Sequence, residues 1–293
     1  MPELTAKRTL HASLLQPSPM SRADFEQFSE LINRSLGIRM SENKLTMLQG
    51  RLTRRMRHLR LSSFAEYRDY LFHSPNAEEE FVHFADAVTT NKTDFFREPQ
   101  HFDYLVNEAL PALDRHNRAA FWPAKVWCAG CSTGEEPWTL SMVLNEYGLR
   151  RGHFDFSLLA TDISSRVLAH AQHATYGHTA AEAIPPTLRK RYLLSSRDPS
   201  HRLVRIVPDL RRRVSFQRLN FMDRAYNIKT RFEAIFFRNV MIYFDKPTQE
   251  AVVNRLCRHL VPSGYLFVGH SESLAGLHVP LKQIAIAVYQ KVG

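Results

Sequence analysis

Between Ser21 and about Thr90, apolar residues recur every third or fourth position in four short runs, a spacing that predicts four helices. The run SRADFEQFSELINRSLG opens with Ser21 as N-cap and Asp24 three residues on. It carries Phe25, Phe28, Leu31, Ile32 and Leu36 on one face and stops at Gly37. SENKLTMLQGRLTRRMRHLR places Leu45, Leu48, Leu52, Met56 and Leu59 on one stripe, with Lys44, Arg51, Arg54, Arg55 and His58 together on another. Ser63 with Glu66 opens a third helix, and Asn76 caps a fourth carrying Phe81, Phe84 and Val88. The expectation is a loose tail over 1–20, then a small helical domain over 21–90 with one strongly basic helix.

The stretch TTNKTDFFREPQHF breaks the periodicity, and HFDYLVNEALPAL resumes it, so 91–124 is expected to be a linker with a helix. From Lys125 the pattern switches to strand–helix alternation. KVWCAG, FSLLATDIS, VSFQRLNF, FEAIFFRNVMIYF, YLFVG and KQIAIAVYQKV fit strands. EEPWTLSMVLNEYG, SSRVLAHAQHATYG and KPTQEAVVNRLCRHLVPSG fit helices, the first with Pro137 in its opening turn and the last ended by Gly264. Such alternation implies an α/β doubly wound domain over 125–293 with an open parallel sheet. Residues from about 172 to 213 interrupt it, where YLLSS and RLVRIV suggest an inserted β-hairpin subdomain.

Composition narrows this picture little. Among 293 residues, 44% are hydrophobic and 23% charged, ordinary values for a globular chain. Three cysteines are too few for a disulfide framework, no apolar run is long enough to span a bilayer, and the N-terminus lacks a signal peptide's apolar core. A cytoplasmic location is expected. The formal net charge of +10, from 39 basic and 29 acidic side chains, favours acidic partners without choosing among nucleic acid, anionic membrane and protein.

Ligands of open parallel sheets bind outside the carboxyl ends of the strands, which here read AGCSTGEE, TDIS, LNFMD and FRNVMIYF. The first is no phosphate loop, because no lysine follows Gly134. Glu135 and Glu136 would also repel a pyrophosphate from the helix N-terminus. A neutral or cationic ligand with hydroxyls suits these carboxylates better, and the adenosyl sulfonium S-adenosylmethionine is one. Asp162 stands where a carboxylate takes ribose hydroxyls in doubly wound folds. The pair Cys128-x-x-Cys131 has no second cysteine or histidine pair to complete a zinc site, and the fourteen histidines show no metal spacing, so no metal is expected.

In order and spacing, NKTDFFRE, AGCSTGEEPW, ATDIS, FFRNVMIYF and GYLFVGHSESL resemble the bacterial chemotaxis receptor methyltransferases of the CheR family, over roughly residues 20 to 290. The resemblance implies an S-adenosylmethionine-dependent methyltransferase fold. It also implies methylation of glutamate side chains on chemoreceptors to γ-glutamyl methyl esters, with S-adenosylhomocysteine as product. By motif it places Asn91, Thr93, Arg97, Glu136, Asp162, Asn220, Phe221, Arg238 and Asn239 near the cofactor. Arg97 is then suited to orient the incoming carboxylate and Tyr243 to donate one hydrogen bond to it.

The basic row Arg51, Arg54 and Arg55 would dock on the acidic helical bundle of a chemoreceptor's cytoplasmic domain, and a monomer is expected, with no nucleic-acid partner and no membrane insertion. Two departures stand out: Trp138 occupies a position where relatives more often have tyrosine, and the insert's SSRDPSHR lacks the glycines of relatives that grip a receptor's tail peptide, which argues against tethering. The competing readings are a methyltransferase of the same fold acting on RNA, for which no aromatic stacking platform is present, and a non-catalytic cofactor-binding module.

Overall fold

A computed structural model of the chain describes residues 18–116, 122–198, 200 and 202–292; most of the expected N-terminal tail lies outside these residues, as do parts of the 91–124 segment and of the insert's loop. The chain divides into two compact units that meet between Thr90 and Asn91.

In the first unit, helices span Arg22–Leu36, Leu45–Leu59, Phe64–His73 and Ala77–Val88. Capping boxes at Ser21/Asp24 and Ser63/Glu66 start the first and third, and Gly37 ends the first in the left-handed region. Asn76 departs from expectation: its side chain makes no cap bond, because its backbone (φ −101°, ψ 19°) lacks the extended geometry a capping side chain needs. The core gathers on Phe28, whose ring meets those of Phe64, Tyr67 and Phe84 at centroid distances of 6.3, 6.0 and 6.1 Å.

Two arginines of the basic helix turn inward. Arg55 forms a forked ion pair with the buried Glu80, at 2.6–3.1 Å, and Tyr67 donates to the same carboxylate at 2.8 Å. Arg51 donates to the carbonyls of Val88 and Thr89 at the end of the fourth helix, at 2.7 and 3.2 Å. Glu80→Ala strands a guanidinium and a phenol together, so urea unfolding should show a loss of about 3 kcal/mol or more, whereas the neighbouring Glu79→Ala should cost little.

The second unit is built on a sheet of order β6-β2-β1-β7-β8-β10-β9. Its strands are β1 Trp122–Ala129, β2 Phe154–Asp162, β6 Val214–Arg218, β7 Phe232–Phe237, β8 Leu260–Val268, β9 Leu281–Ala285 and β10 Val288–Lys291. The first five are parallel, and the β9–β10 hairpin adds antiparallel to β8. The sheet is therefore mixed, not all parallel. KQIAIAVYQKV makes two strands because the chain turns back at Ala287, held at φ 57°; no glycine, proline or asparagine marks that turn. Nor does Gly264 end a helix. The preceding helix, Lys246–Arg258, stops earlier, and Gly264 lies within β8. A Cβ there would sit 3.0 Å from the Val261 carbonyl oxygen and 3.2 Å from the Glu233 carbonyl oxygen, tight contacts that favour glycine where the strands approach.

The insert holds a small antiparallel sheet of order β3-β5-β4, with β3 Thr175–Gly177, β4 Leu193–Ser195 and β5 Leu203–Ile206. The expected hairpin is β4–β5. Strand β3 is additional: the preceding helix ends at His173, Ala174 turns left-handed, and Thr175–Gly177 pairs with β5 where sequence spacing suggested continued helix. Inside the main sheet, Trp127 is fully buried and donates to Thr161 Oγ1 at 2.9 Å. Trp138, also fully buried, donates to the Ala171 carbonyl at 3.1 Å. The helical run Gln100–His116, with a single π turn at Leu105–Ala109, lays Phe102 on the stacked rings of Phe236 and Phe267. That stack fixes the 91–104 segment over the carboxyl ends of β7 and β8.

Candidate functional site

Four parallel strands deliver their polar exits to one edge of the sheet. After β1 the chain turns through Gly130 (φ 89°) and Gly134 (φ 102°) into the helix Glu135–Arg151. A Cβ on Gly130 would come within 2.6 Å of Val240 Cγ2, and one on Gly134 within 2.6 Å of the Tyr176 hydroxyl and 2.8 Å of Ala171 Cβ. Gly134→Ala thus combines a clash with a disfavoured backbone region, and denaturant unfolding should show a loss of at least about 2 kcal/mol.

At the end of β2, the buried Asp162 accepts from the Ser132 amide at 2.9 Å and the Ser164 amide at 3.0 Å, joining the first two exits. The Ser132 hydroxyl donates to the Asn91 carbonyl at 3.0 Å, which pins the start of the NKTDFFRE segment onto the same turn. After β6, Asn220 Oδ1 accepts from the Met222 amide, and the buried Phe221 packs against Phe237 at 4.9 Å.

The centre of the site is Arg238, at the end of β7 and 5% exposed. It donates to Glu136 Oε2 at 2.6 Å, to the Arg97 carbonyl at 2.5 Å and to Glu98 Oε2 at 3.1 Å, and its guanidinium carbon lies 5.5 Å from the centroid of the Phe102 ring. Asn239 follows at φ 59°, its amide donating to Glu272 at 2.8 Å and its side chain reaching Glu98 at 3.5 Å. Arg97 is half-exposed, within 3.4 Å of the Lys92 carbonyl and 3.9 Å of Glu98. Thr93 and Tyr243 are half-buried, the latter in the one-turn 3-10 helix Met241–Tyr243.

The geometry therefore draws Glu136, Arg238, Asn239 and Arg97 into one network and ties Asp162 to Asn91 through Ser132. Arg51, Arg54 and Arg55 belong to the first unit, where Arg54 is exposed.

Two carboxylates that motif reading passed over organise this edge. Burial alone would raise the Glu98 carboxyl, but the charge and hydrogen bond of Arg238 overcome it and hold it below the usual range. Glu272 accepts from the amides of Gly269, Asn239 and Ile242 at 2.7, 2.8 and 3.2 Å, while burial pushes its carboxyl up. It welds the exits of β7 and β8 together. Sequence carried a signal only for Glu98, through its place next to Arg97. The two cysteines serve packing: burial, then the neighbouring Glu136, pushes the Cys128 thiol up, and that thiol donates to Glu136 at 3.2 Å.

The residues present fit S-adenosylmethionine. The first turn is too tight at both glycines for any side chain, no lysine stands in it, and its helix begins with two glutamates, acceptors suited to hydroxyls and a cation and not to phosphate.

Comparison with known proteins agrees. Residues 23–89 match the CheR methyltransferase all-alpha domain, and residues 91–289 match the CheR methyltransferase SAM binding domain. The chain is 39% identical over 271 residues to chemotaxis protein methyltransferase 2 of Pseudomonas aeruginosa, covering 92% of this chain and 93% of that one. It is 38% identical over 265 residues to the chemotaxis protein methyltransferase of Klebsiella aerogenes (90% and 88% covered) and 37% over 259 residues to that of Escherichia coli (88% and 87%). With both domains matched in order along most of its length, the chain belongs to the CheR family of S-adenosylmethionine-dependent methyltransferases.

Proposed function

We propose that this chain methylates glutamate side chains in the cytoplasmic domain of chemoreceptors, giving γ-glutamyl methyl esters and S-adenosylhomocysteine, and acts as a cytoplasmic protein-glutamate O-methyltransferase. The observation that carries this reading is a fixed cation, Arg238, locked between two carboxylates beside a half-exposed arginine, Arg97, at the sheet edge where the cofactor's glycine turn lies.

S-adenosylmethionine supplies an electrophilic methyl on a sulfonium, which leaves as a neutral thioether when a carboxylate oxygen bonds the methyl carbon. A receptor glutamate is already ionised at neutral pH, so no protein group has to remove a proton. What remains is positioning, which contributes on the order of 7–11 kcal/mol in favourable cases. Asp162 and Glu136 accept hydroxyls of the nucleoside end, and Asn91, Thr93, Asn220, Phe221 and Asn239 line its surroundings. Arg97 turns its free donors to the incoming carboxylate as a forked pair, and Tyr243 adds one hydrogen bond. Arg238 keeps Glu136 and Glu98 in place and does not meet the substrate.

For docking, Arg51 and Arg55 set the basic helix through their internal contacts, and Arg54, with Arg57 and His58 also exposed, is the arginine placed to meet an acidic receptor helix. The test is peptide mapping by mass spectrometry of a receptor cytoplasmic fragment after incubation with the protein and S-adenosylmethionine. Methyl groups on glutamate support the reading; methyl groups only on lysine, arginine or co-purified RNA overturn it.

A further inference from the structure

Beside the Arg238 network, and sharing Glu98 with it, lies a pair of histidines that the proposed reaction does not use. His101, on the first turn of the Gln100–His116 run, is 1% exposed, and neither of its ring nitrogens has a hydrogen-bond partner among the described residues. Leaving two ring nitrogens unpaired in the interior is costly. Its Nδ1 faces Glu98 Oε2 at 3.5 Å without the alignment of a hydrogen bond. The ring of His270, from the loop after β8, meets it edge to face at 4.7 Å. One donor atom from each of Glu98, His101 and His270 lies within 4.8 Å of the others. His270 is exposed, so the cluster opens to solvent on that side.

We infer that Glu98, His101 and His270 bind a divalent cation of the zinc class, and that occupancy slows methyl transfer by drawing Glu98 away from Arg238 and Asn239. Two imidazoles with one carboxylate select zinc over magnesium or calcium, and three protein ligands leave a position open for water. Bonds of about 2.0–2.1 Å place tetrahedral ligands roughly 3.4 Å apart, so the cluster must close by on the order of 1 Å, with exposed His270 the member that has room to turn.

Arg238 competes with the metal for the same carboxylate oxygen, Glu98 Oε2. Binding is therefore weaker than at a four-ligand structural zinc site, and it is coupled to the site. Once Glu98 turns to the metal, Arg238 keeps Glu136 and the Arg97 carbonyl but loses the contact nearest Asn239.

The inhibitory half rests on the proposed methyl transfer; the binding half does not, and the experiment separates them. Cobalt(II) titration of the full chain without S-adenosylmethionine, followed by visible d–d bands, is paired with zinc competition against a chromogenic chelator. Wild type should take up one equivalent in a tetrahedral-type spectrum, and His270→Gln should bind at least about tenfold more weakly. Equal binding by the two proteins means zinc on scattered surface histidines and overturns the site, as does a spectrum of fully hydrated cobalt. With a receptor fragment present, zinc should slow wild-type methylation reversibly with chelator. His270→Gln, scored against its own metal-free rate, should need about tenfold more zinc. Tight binding without slowed methylation overturns the coupling to Arg238. A chain that binds cobalt as expected but methylates no receptor leaves the metal site standing and removes the glutamate reading instead.

Discussion

Arg238→Met will lower methyl transfer by at least about a hundredfold and destabilise the fold by about 3–5 kcal/mol. The side chain is nearly enclosed and is the shared partner of Glu136, Glu98 and the Arg97 carbonyl. Removing one member of a buried pair leaves an unpaired charge, which costs more than the pair contributed; here two carboxylates are left facing each other.

The loss of activity should exceed what partial unfolding explains. Glu136 and Glu98 would repel, and Arg97, whose carbonyl Arg238 holds, would lose its fixed backbone. Urea unfolding gives the stability change, and methylation measured where the variant remains folded gives the catalytic one. Arg238→Lys should recover part of the stability and little of the rate, because an ammonium cannot span three acceptors in the geometry a guanidinium fork provides. A variant with full turnover in its folded fraction would remove Arg238 from the site's architecture.

Asp162→Ala should weaken S-adenosylmethionine binding about a hundredfold, or about 2.8 kcal/mol at about 1.4 kcal/mol per tenfold. Two effects add. The carboxylate offered to the nucleoside hydroxyls is lost, each charge-assisted bond being worth about 1.5–3 kcal/mol. The amides of Ser132 and Ser164, both held by Asp162, also lose their acceptor, so the glycine turn loosens. Asp162→Asn keeps one acceptor oxygen and should fall between wild type and alanine. Isothermal titration with S-adenosylhomocysteine reads both, since binding alone is measured. Unchanged affinity in the alanine variant would place the nucleoside elsewhere.

Much of the fold was legible because local chemistry and global structure agree. The two capping boxes, the Gly37 stop and the polar strand exits each carry their signal in adjacent residues. Where they disagree, sequence fails for identifiable reasons. The β9–β10 turn uses Ala287 in the left-handed region, and tertiary pairing with β8 imposes it. Strand β3 exists only because β5, far along the chain, offers it an edge.

The site divides the same way. Glu136, Asp162 and Arg238 stand in short motifs. Glu272 and the Glu98–His101–His270 cluster become visible only once the ends of β7 and β8 are brought against the 91–104 segment, and nothing in the spacing of fourteen histidines marks that meeting. Arg51 and Arg55 make the converse point: on a helical wheel they share a basic face, yet the buried Glu80 and the carbonyls at the end of the fourth helix draw them inward.

Ester formation on receptor glutamates can be read with methyl-labelled S-adenosylmethionine, the purified protein and a chemoreceptor cytoplasmic fragment, followed by mild alkali. Carboxyl methyl esters hydrolyse there and release labelled methanol, whereas methyl groups on nitrogen or on ether oxygens stay in place. Volatile label should require the receptor and should disappear when its candidate glutamates are replaced by alanine. Label that survives alkali, or that appears without the receptor, would contradict it.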